Sequence, residues 1–212
     1  MTIRVLLADD HALIRAGLRA LLAATSDIQV VGEARTGRDA LERVSLLEPD
    51  VVLMDIVMPD LNGIEAARVI HANCPAVGIL ILSMHATAEY VYRAFEAGAS
   101  GYLLKEKAVE EVIAAVRAVD AGKRYLSPAL VESVLQPGAG HARSPVDSLS
   151  PRERQVLQLV VEGHSSKEIA WMIHLSPKSV ETYRVRLMSK LNVGDVASLV
   201  KFALAHGLTP PA

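Results

Sequence analysis

The hydrophobic pattern changes period partway along the chain. Up to residue 125, short apolar runs alternate with stretches in which apolar residues recur every three or four positions. The runs are IRVLLA at 3–8, IQVVGEA at 28–34, VVLM at 51–54, VGILIL at 77–82 and GYLL at 101–104. Nearly continuous apolar runs suit strands covered on both faces. HALIRAGLRALLAA and TAEYVYRAFEAGA carry helical spacing, and Gly98 and Gly122 fall where helices end. Strands alternating with helices predict βαβ units. The expected first domain, 1–125, is an α/β doubly wound five-stranded parallel sheet with five helices. A Gly-, Pro- and Ser-rich tract, QPGAGHARSPVDSLS at 136–150, marks a linker, assigned to 126–146. From 147 to 212 no strand pattern remains. PRERQVLQLVVEG, SSKEIAWMIH, SPKSVETYRVRLMSKL and DVASLVKFALAHG predict a small all-α domain of four helices.

Composition narrows the class. The 212 residues are 51% hydrophobic and 22% charged, as in ordinary globular proteins. No apolar run approaches the roughly 18 residues of a membrane span. MTIRVLLADD reads as a strand, not a signal peptide. Cys74 is alone, so neither an internal disulfide nor a cysteine metal site is expected. These features predict a cytoplasmic protein without a membrane partner. Residues 1–137 hold 13 Lys/Arg against 18 Asp/Glu, whereas 138–212 hold 9 against 6. The second half therefore favours an anionic partner.

The candidate chemistry starts at VVLMDIVMPDLNG, 51–63, where a buried-strand pattern runs into Asp55. A carboxylate there is costly unless paired. In open α/β sheets, ligands sit beyond the carboxyl ends of strands. Asp9 and Asp10 follow the first run, Asp55 the third, Ser83 the fourth and Lys105 the fifth. Taken singly, each has a structural explanation. Asp9 or Asp10 can cap the helix starting near Ala12, Ser83 and Lys105 can be surface residues, and Pro59 and Gly63 mark a turn and a helix start. Together they form one polar rim. Several carboxylates without a neighbouring base suit Mg²⁺, and a carboxylate beside Mg²⁺ can attack a phosphoryl group. Lys105 and the Ser83 hydroxyl suit the transferred phosphoryl oxygens.

LLADDH, VVLMDIVMPDLNG, ILSMH and GYLLKE together resemble the receiver domain of two-component response regulators, over about residues 3–122. The resemblance implies a flavodoxin-like receiver in which Asp55 accepts phosphate from a sensor histidine kinase. It implies that Asp9, Asp10 and Asp55, with the Ile56 backbone carbonyl, bind Mg²⁺, and that Ser83, Tyr102 and Lys105 form the switch. In such receivers the aromatic residue turns inward and repacks the last helices on phosphorylation. Glu106 follows Lys105 where a proline is common in the family, and Ala86 stands where many relatives are acidic.

The second domain carries a separate signal. In SSKEIAWMIHLSPKSVETYRVRLMSKL, Ile169, Ala170 and Ile173 share one face of a short helix, and a turn around His174–Ser176 follows. Ser176 suits an N-cap and Pro177 the first helical position. Val180, Tyr183, Leu187 and Leu191 form the buried stripe of the next helix. Its exposed side shows Lys178, Glu181, Thr182, Arg184, Val185, Arg186 and Lys190, and Lys167 opens the preceding helix. This spacing fits a helix-turn-helix that lays its second helix in the major groove of double-stranded DNA. Trp171 reads as partly buried packing and Glu153 as a structural residue of the first helix. SPRERQVL, KEIA and SPKSVETYRVRLMSKL resemble the LuxR-type tetrahelical DNA-binding domain, and the whole chain is similar to NarL/FixJ-family response regulators. The resemblance implies a fourth-helix dimer contact, for which Val196, Leu199, Val200 and Ala203 offer the apolar stripe, with packing inside the domain claiming some of them. It further implies homodimerisation on phosphorylation, two half-sites about one helical turn apart, and RNA polymerase as a candidate partner.

Two other classes fit parts of the pattern. A Mg²⁺-dependent phosphatase or phosphotransferase needs an acid–base carboxylate two residues after its nucleophile, where this chain has Val57. A nucleotide- or flavin-binding module needs a Gly-rich phosphate loop after the first strand, where ADDHALIRAG has two carboxylates.

Overall fold

A computed structural model describes residues 2–135, 145–206 and 208. The centre of the expected linker, 136–144, lies outside the described residues. The chain divides into two compact units, one α/β and one helical.

The first unit runs β1 (Ile3–Ala8), α1 (Ala12–Ala23), β2 (Ile28–Ala34), α2 (Gly37–Leu47), β3 (Val51–Asp55), α3 (Gly63–Asn73), β4 (Gly78–Ser83), α4 (Ala88–Glu96), β5 (Gly101–Leu104), α5 (Ala108–Asp120), β6 (Tyr125–Leu126) and α6 (Pro128–Leu135). The strands are ordered β2-β1-β3-β4-β5-β6, and each adjacent pair is parallel. Alternation along the strands divides the core between two faces. Val5, Leu7, Leu53, Leu80, Leu82 and Leu103 meet Leu18 and Leu22 of α1 and Val112 and Val116 of α5. On the opposite face α2, α3 and α4 lie side by side. Local signals set the helix starts: Thr36 accepts from Asp39 N–H to cap α2, and Asn62 accepts from Glu65 N–H to cap α3.

The sheet has six strands where five were expected. Tyr125–Leu126 is too short to show alternation, and tertiary pairing with Gly101 and Tyr102 makes it a strand. Residues at the start of the assigned linker also pack on this unit. Ser127 is fully buried and its hydroxyl donates to Glu111, while Tyr92 Oη on α4 donates to the Val134 carbonyl on α6.

The second unit follows a 3₁₀ turn at 145–148 with α7 (Pro151–Val161), α8 (Ser166–Met172), α9 (Pro177–Leu191) and α10 (Val196–Ala205). Val156, Leu159, Ile169, Val180, Leu187 and Leu199 share its core. Ser150 and Glu153 form a reciprocal capping box at α7, and Ser165 and Glu168 another at α8.

Candidate functional site

Strand register assembles the first site. Ala8 lies opposite Met54, so Asp9 and Asp55 leave the sheet side by side. Asp55 lies opposite Leu82 and Ser83 opposite Leu104, which brings Ser83 and Lys105 to the same rim. Asp9 and Asp55 are 1% and 3% exposed. Lys105 Nζ spans them, 2.6 Å from Asp55 Oδ2 and 2.8 Å from Asp9 Oδ2. Burial, aided by Asp9, pushes the Asp55 carboxyl up to about 6 against the pull of Lys105. Burial alone would lower Lys105, but the two carboxylates outweigh it and raise the ammonium.

Asp10 sits at the pocket mouth with His11 Nδ1 2.7 Å from its Oδ1. His11, not an aspartate, is the N-cap of α1, and Asp9 Oδ1 instead accepts the His11 N–H at 2.8 Å. The carboxylates of Asp9, Asp10 and Asp55 lie close enough to one another to hold one cation. Hard oxygen donors, two of them already bridged by an ammonium, fit Mg²⁺. The Ile56 carbonyl accepts the Gly63 N–H at 2.8 Å and closes the turn into α3. One lone pair of that oxygen is used in this bond, and the second leaves the carbonyl able to join the three carboxylates as a donor. Gly63 is needed here, because a Cβ would lie 1.9 Å from the Asp55 carbonyl oxygen.

Ser83 and Tyr102 meet through one residue. The Ser83 hydroxyl accepts the His85 N–H at 3.0 Å, and Tyr102 Oη donates to the His85 carbonyl at 2.8 Å. Tyr102 is fully buried, so its ring already lies inward. The His85 ring stacks on Tyr90 of α4 at 4.2 Å between centroids. After Lys105 the chain enters a 3₁₀ turn, Lys105–Lys107, in place of the family's usual proline geometry.

Charged residues that back the rim complete the setting, and sequence reasoning missed them. Arg15 is buried on the same stripe of α1 as Leu18 and Leu22. A charge at a core position of an amphipathic helix was the available signal. Its partner, Glu33 on β2, also receives Arg19.

In the second unit, Ser176 caps α9 and Pro177 opens it, as the motif requires. His174 in the preceding turn takes φ +54, the left-handed position where helix-turn-helix motifs often have glycine. Val180, Leu187 and Leu191 are buried and Tyr183 is half-buried. Lys167, Lys178, Thr182, Val185 and Arg186 are exposed. Three expected DNA contacts are also engaged within the unit. Arg184 Nη1 donates to Ser166 Oγ at 2.8 Å, Ser166 donates to Glu181, and Lys190 Nζ donates to Glu153 at 2.7 Å. Lys190 is the partner that Glu153 lacked on sequence grounds.

One expectation is corrected and one open alternative is decided. Trp171 is 82% exposed, because Ala170 takes the inward position beside it. Leu199 and Ala203 are buried among α7–α9, which removes them from the expected dimer stripe. Val196 is exposed and Val200 half-buried.

An α/β unit with a carboxylate–lysine pocket, joined to a helix-turn-helix unit, defines the class of switched DNA-binding regulators. Residues 5–117 match the model of the response regulator receiver domain, and residues 147–203 match that of bacterial regulatory proteins of the luxR family. The chain is 40% identical over 208 residues to response regulator UvrY of Escherichia coli K12, covering 97% of this chain and 95% of that one. It is 38% identical over 214 residues to response regulator GacA of Pseudomonas aeruginosa, covering 99% of each. A structure of the Salmonella typhimurium RcsB response regulator, described for conformational dynamism in DNA interaction, has a TM-score of 0.61 at 26% identity, covering 96% of this chain and 98% of that one. The chain belongs to the two-component response regulators of the NarL/FixJ type, receiver domain first and LuxR-type domain second. It is a transcription regulator.

Proposed function

We propose that Asp55 is the phosphoacceptor of this regulator and that its phosphorylation by a histidine kinase controls dimerisation and DNA binding. The observation that carries the reading is the contact of Lys105 with both Asp55 and Asp9 at the carboxyl edge of the sheet. An Asp55 oxygen attacks the phosphorus of phosphohistidine, the P–N bond breaks, and the imidazole leaves. The product is an acyl phosphate on β3. Asp9, Asp10 and Asp55, with the Ile56 backbone carbonyl, would hold Mg²⁺, which when bound neutralises charge on the phosphoryl oxygens. Lys105 moves from pairing carboxylates to pairing a phosphoryl oxygen, and the Ser83 hydroxyl donates to another. Releasing the His85 N–H from Ser83 alters the Tyr102 and Tyr90 contacts and so biases α4. The same pocket would support autodephosphorylation by water.

The output is a cytoplasmic interaction with double-stranded DNA. Lys178, Thr182, Val185 and Arg186 form the reading face, with Lys167 toward phosphate and Glu181, Arg184 and Lys190 bordering it. The DNA interaction described for RcsB supports this assignment. A homodimer using Val196 and Val200 would present two half-sites, with RNA polymerase as a candidate downstream partner. The division proposed is a receiver at 1–125 to which β6 and α6 add residues up to Leu135, a linker confined to the residues between α6 and 147, and the DNA-binding domain at 147–212.

Intact mass after treatment with acetyl phosphate and Mg²⁺, followed by sizing, tests the reading. A single phosphoryl adduct that Asp55→Asn lacks, accompanied by a larger species, is expected. An adduct of equal yield in Asp55→Asn overturns it.

A further inference from the structure

We infer that Arg15 and Glu33 position the metal-binding turn Asp9–Asp10, so that the affinity of this receiver for Mg²⁺ depends on an ion pair, between a buried arginine and a half-buried glutamate, that does not touch the metal. The inference rests on the metal-site reading above. Three carboxylates converging on one point repel each other, and a free turn would let Asp9 and Asp10 swing toward water. Binding a cation would then carry the cost of ordering them. The structure holds the Asp9 peptide from both ends. Its N–H donates to the Ala34 carbonyl on β2 at 3.2 Å. Its carbonyl accepts Arg15 Nη1 from α1 at 2.6 Å.

Arg15 is itself immobilised. Its side chain is 5% exposed, and Nε lies 3.2 Å from Glu33 Oε2. Arg19 reaches the other Glu33 oxygen from the next turn of α1. Burial pushes the Glu33 carboxyl up, yet Arg15 and Arg19 together hold it below its usual range. A buried guanidinium is expensive, and an apolar side chain would fill the same space at lower cost. What an apolar side chain lacks is a donor for the Asp9 carbonyl. Glu33 offsets the Arg15 charge and fixes the direction of the guanidinium, with Arg19 held on the far oxygen of Glu33. Supporting partners of this kind commonly change metal affinity when removed.

Titration calorimetry of the full chain with Mg²⁺ alone tests this, next to acetyl phosphate labelling across Mg²⁺ concentrations. Arg15→Met keeps the length of the side chain and drops its donors. We expect about tenfold weaker Mg²⁺ binding, with labelling returning to the wild-type plateau at saturating Mg²⁺. Arg15→Lys, which restores a donor, should recover part of the affinity, and Glu33→Gln should weaken binding less than Arg15→Met. Circular dichroism and melting curves establish that each variant folds. A folded Arg15→Met with wild-type Mg²⁺ affinity overturns the inference, as does a lowered plateau with an unchanged half-saturating Mg²⁺ concentration. If Arg15→Met does not fold, unchanged affinity in both Arg15→Lys and Glu33→Gln overturns it equally. Asp10→Asn separates the two layers: wild-type Mg²⁺ binding in that variant refutes the metal site itself rather than the role of Arg15.

Discussion

The two units handle charge in opposite ways. The receiver buries it: Asp9, Arg15 and Asp55 are all nearly inaccessible, and Lys105 spans two carboxylates under cover. The helical unit displays it, with Lys167, Lys178 and Arg186 on the outside. Phosphoryl transfer needs a few charges held in fixed geometry at low dielectric, where each counts for more. Contact with a DNA backbone needs charges that find phosphates and release counterions, which exposure permits. One unit is built for precision and the other for reach.

Four substitutions separate these modes, in falling order of effect. Asp55→Asn should abolish the phosphoryl adduct in mass spectra while raising the receiver's stability at pH 7. Burial makes charging Asp55 unfavourable, and the gain in a melt should be on the order of 1 kcal/mol. Gly63→Ala forces a Cβ against the Asp55 carbonyl and should cost about 3 kcal/mol in chemical denaturation, with loss of labelling. Arg186→Ala should weaken DNA binding about tenfold in a mobility shift at fixed salt and reduce the salt slope by about 1, with Asp55 labelling unchanged. Glu153→Ala should cost the helical unit roughly 1 kcal/mol by removing a capping box and the Lys190 contact.

The last of these depends on pH with a defined sign. Burial pushes Glu153 up, but Lys190 and Ser150 outweigh it and hold the carboxyl below the ordinary glutamate value of 4.5. Its contribution is therefore complete above about pH 4.5 and fades as pH falls through the lower folded value. Melting curves of wild type and Glu153→Ala should converge in acid. Curves that stay parallel would assign the loss to packing alone.

Much of this was legible in residue order. The five apolar runs became β1 to β5. Of these, β3 and β5 are buried throughout and β1 and β4 nearly so, which requires apolar residues along the run and is a local property. At the sheet edge, β2 is partly exposed and carries Gln29 and Glu33. Ser176 and Pro177 announced α9 because a cap acts within three residues. Asp9, Asp55, Ser83 and Lys105 stood out because each follows such a run, and parallel strands end on one edge.

Other features were decided only by tertiary contact. β6 exists because β5 offers it an edge to pair with. Leu199 and Ala203 face inward and Trp171 outward because α7 and α9 set which side of a short helix is covered, a choice its own spacing leaves open. The same holds for Lys190, which reads as a DNA contact until Glu153 is beside it. Arg15 looks like one more basic residue of α1 until Glu33 and the Asp9 carbonyl meet it from elements 18 and 6 residues away. Periodicity and capping act over one or two turns, so the sequence alone determines β1 to β5, the main helices and the rim. Pairing of charges across elements depends on distances that only the folded chain defines.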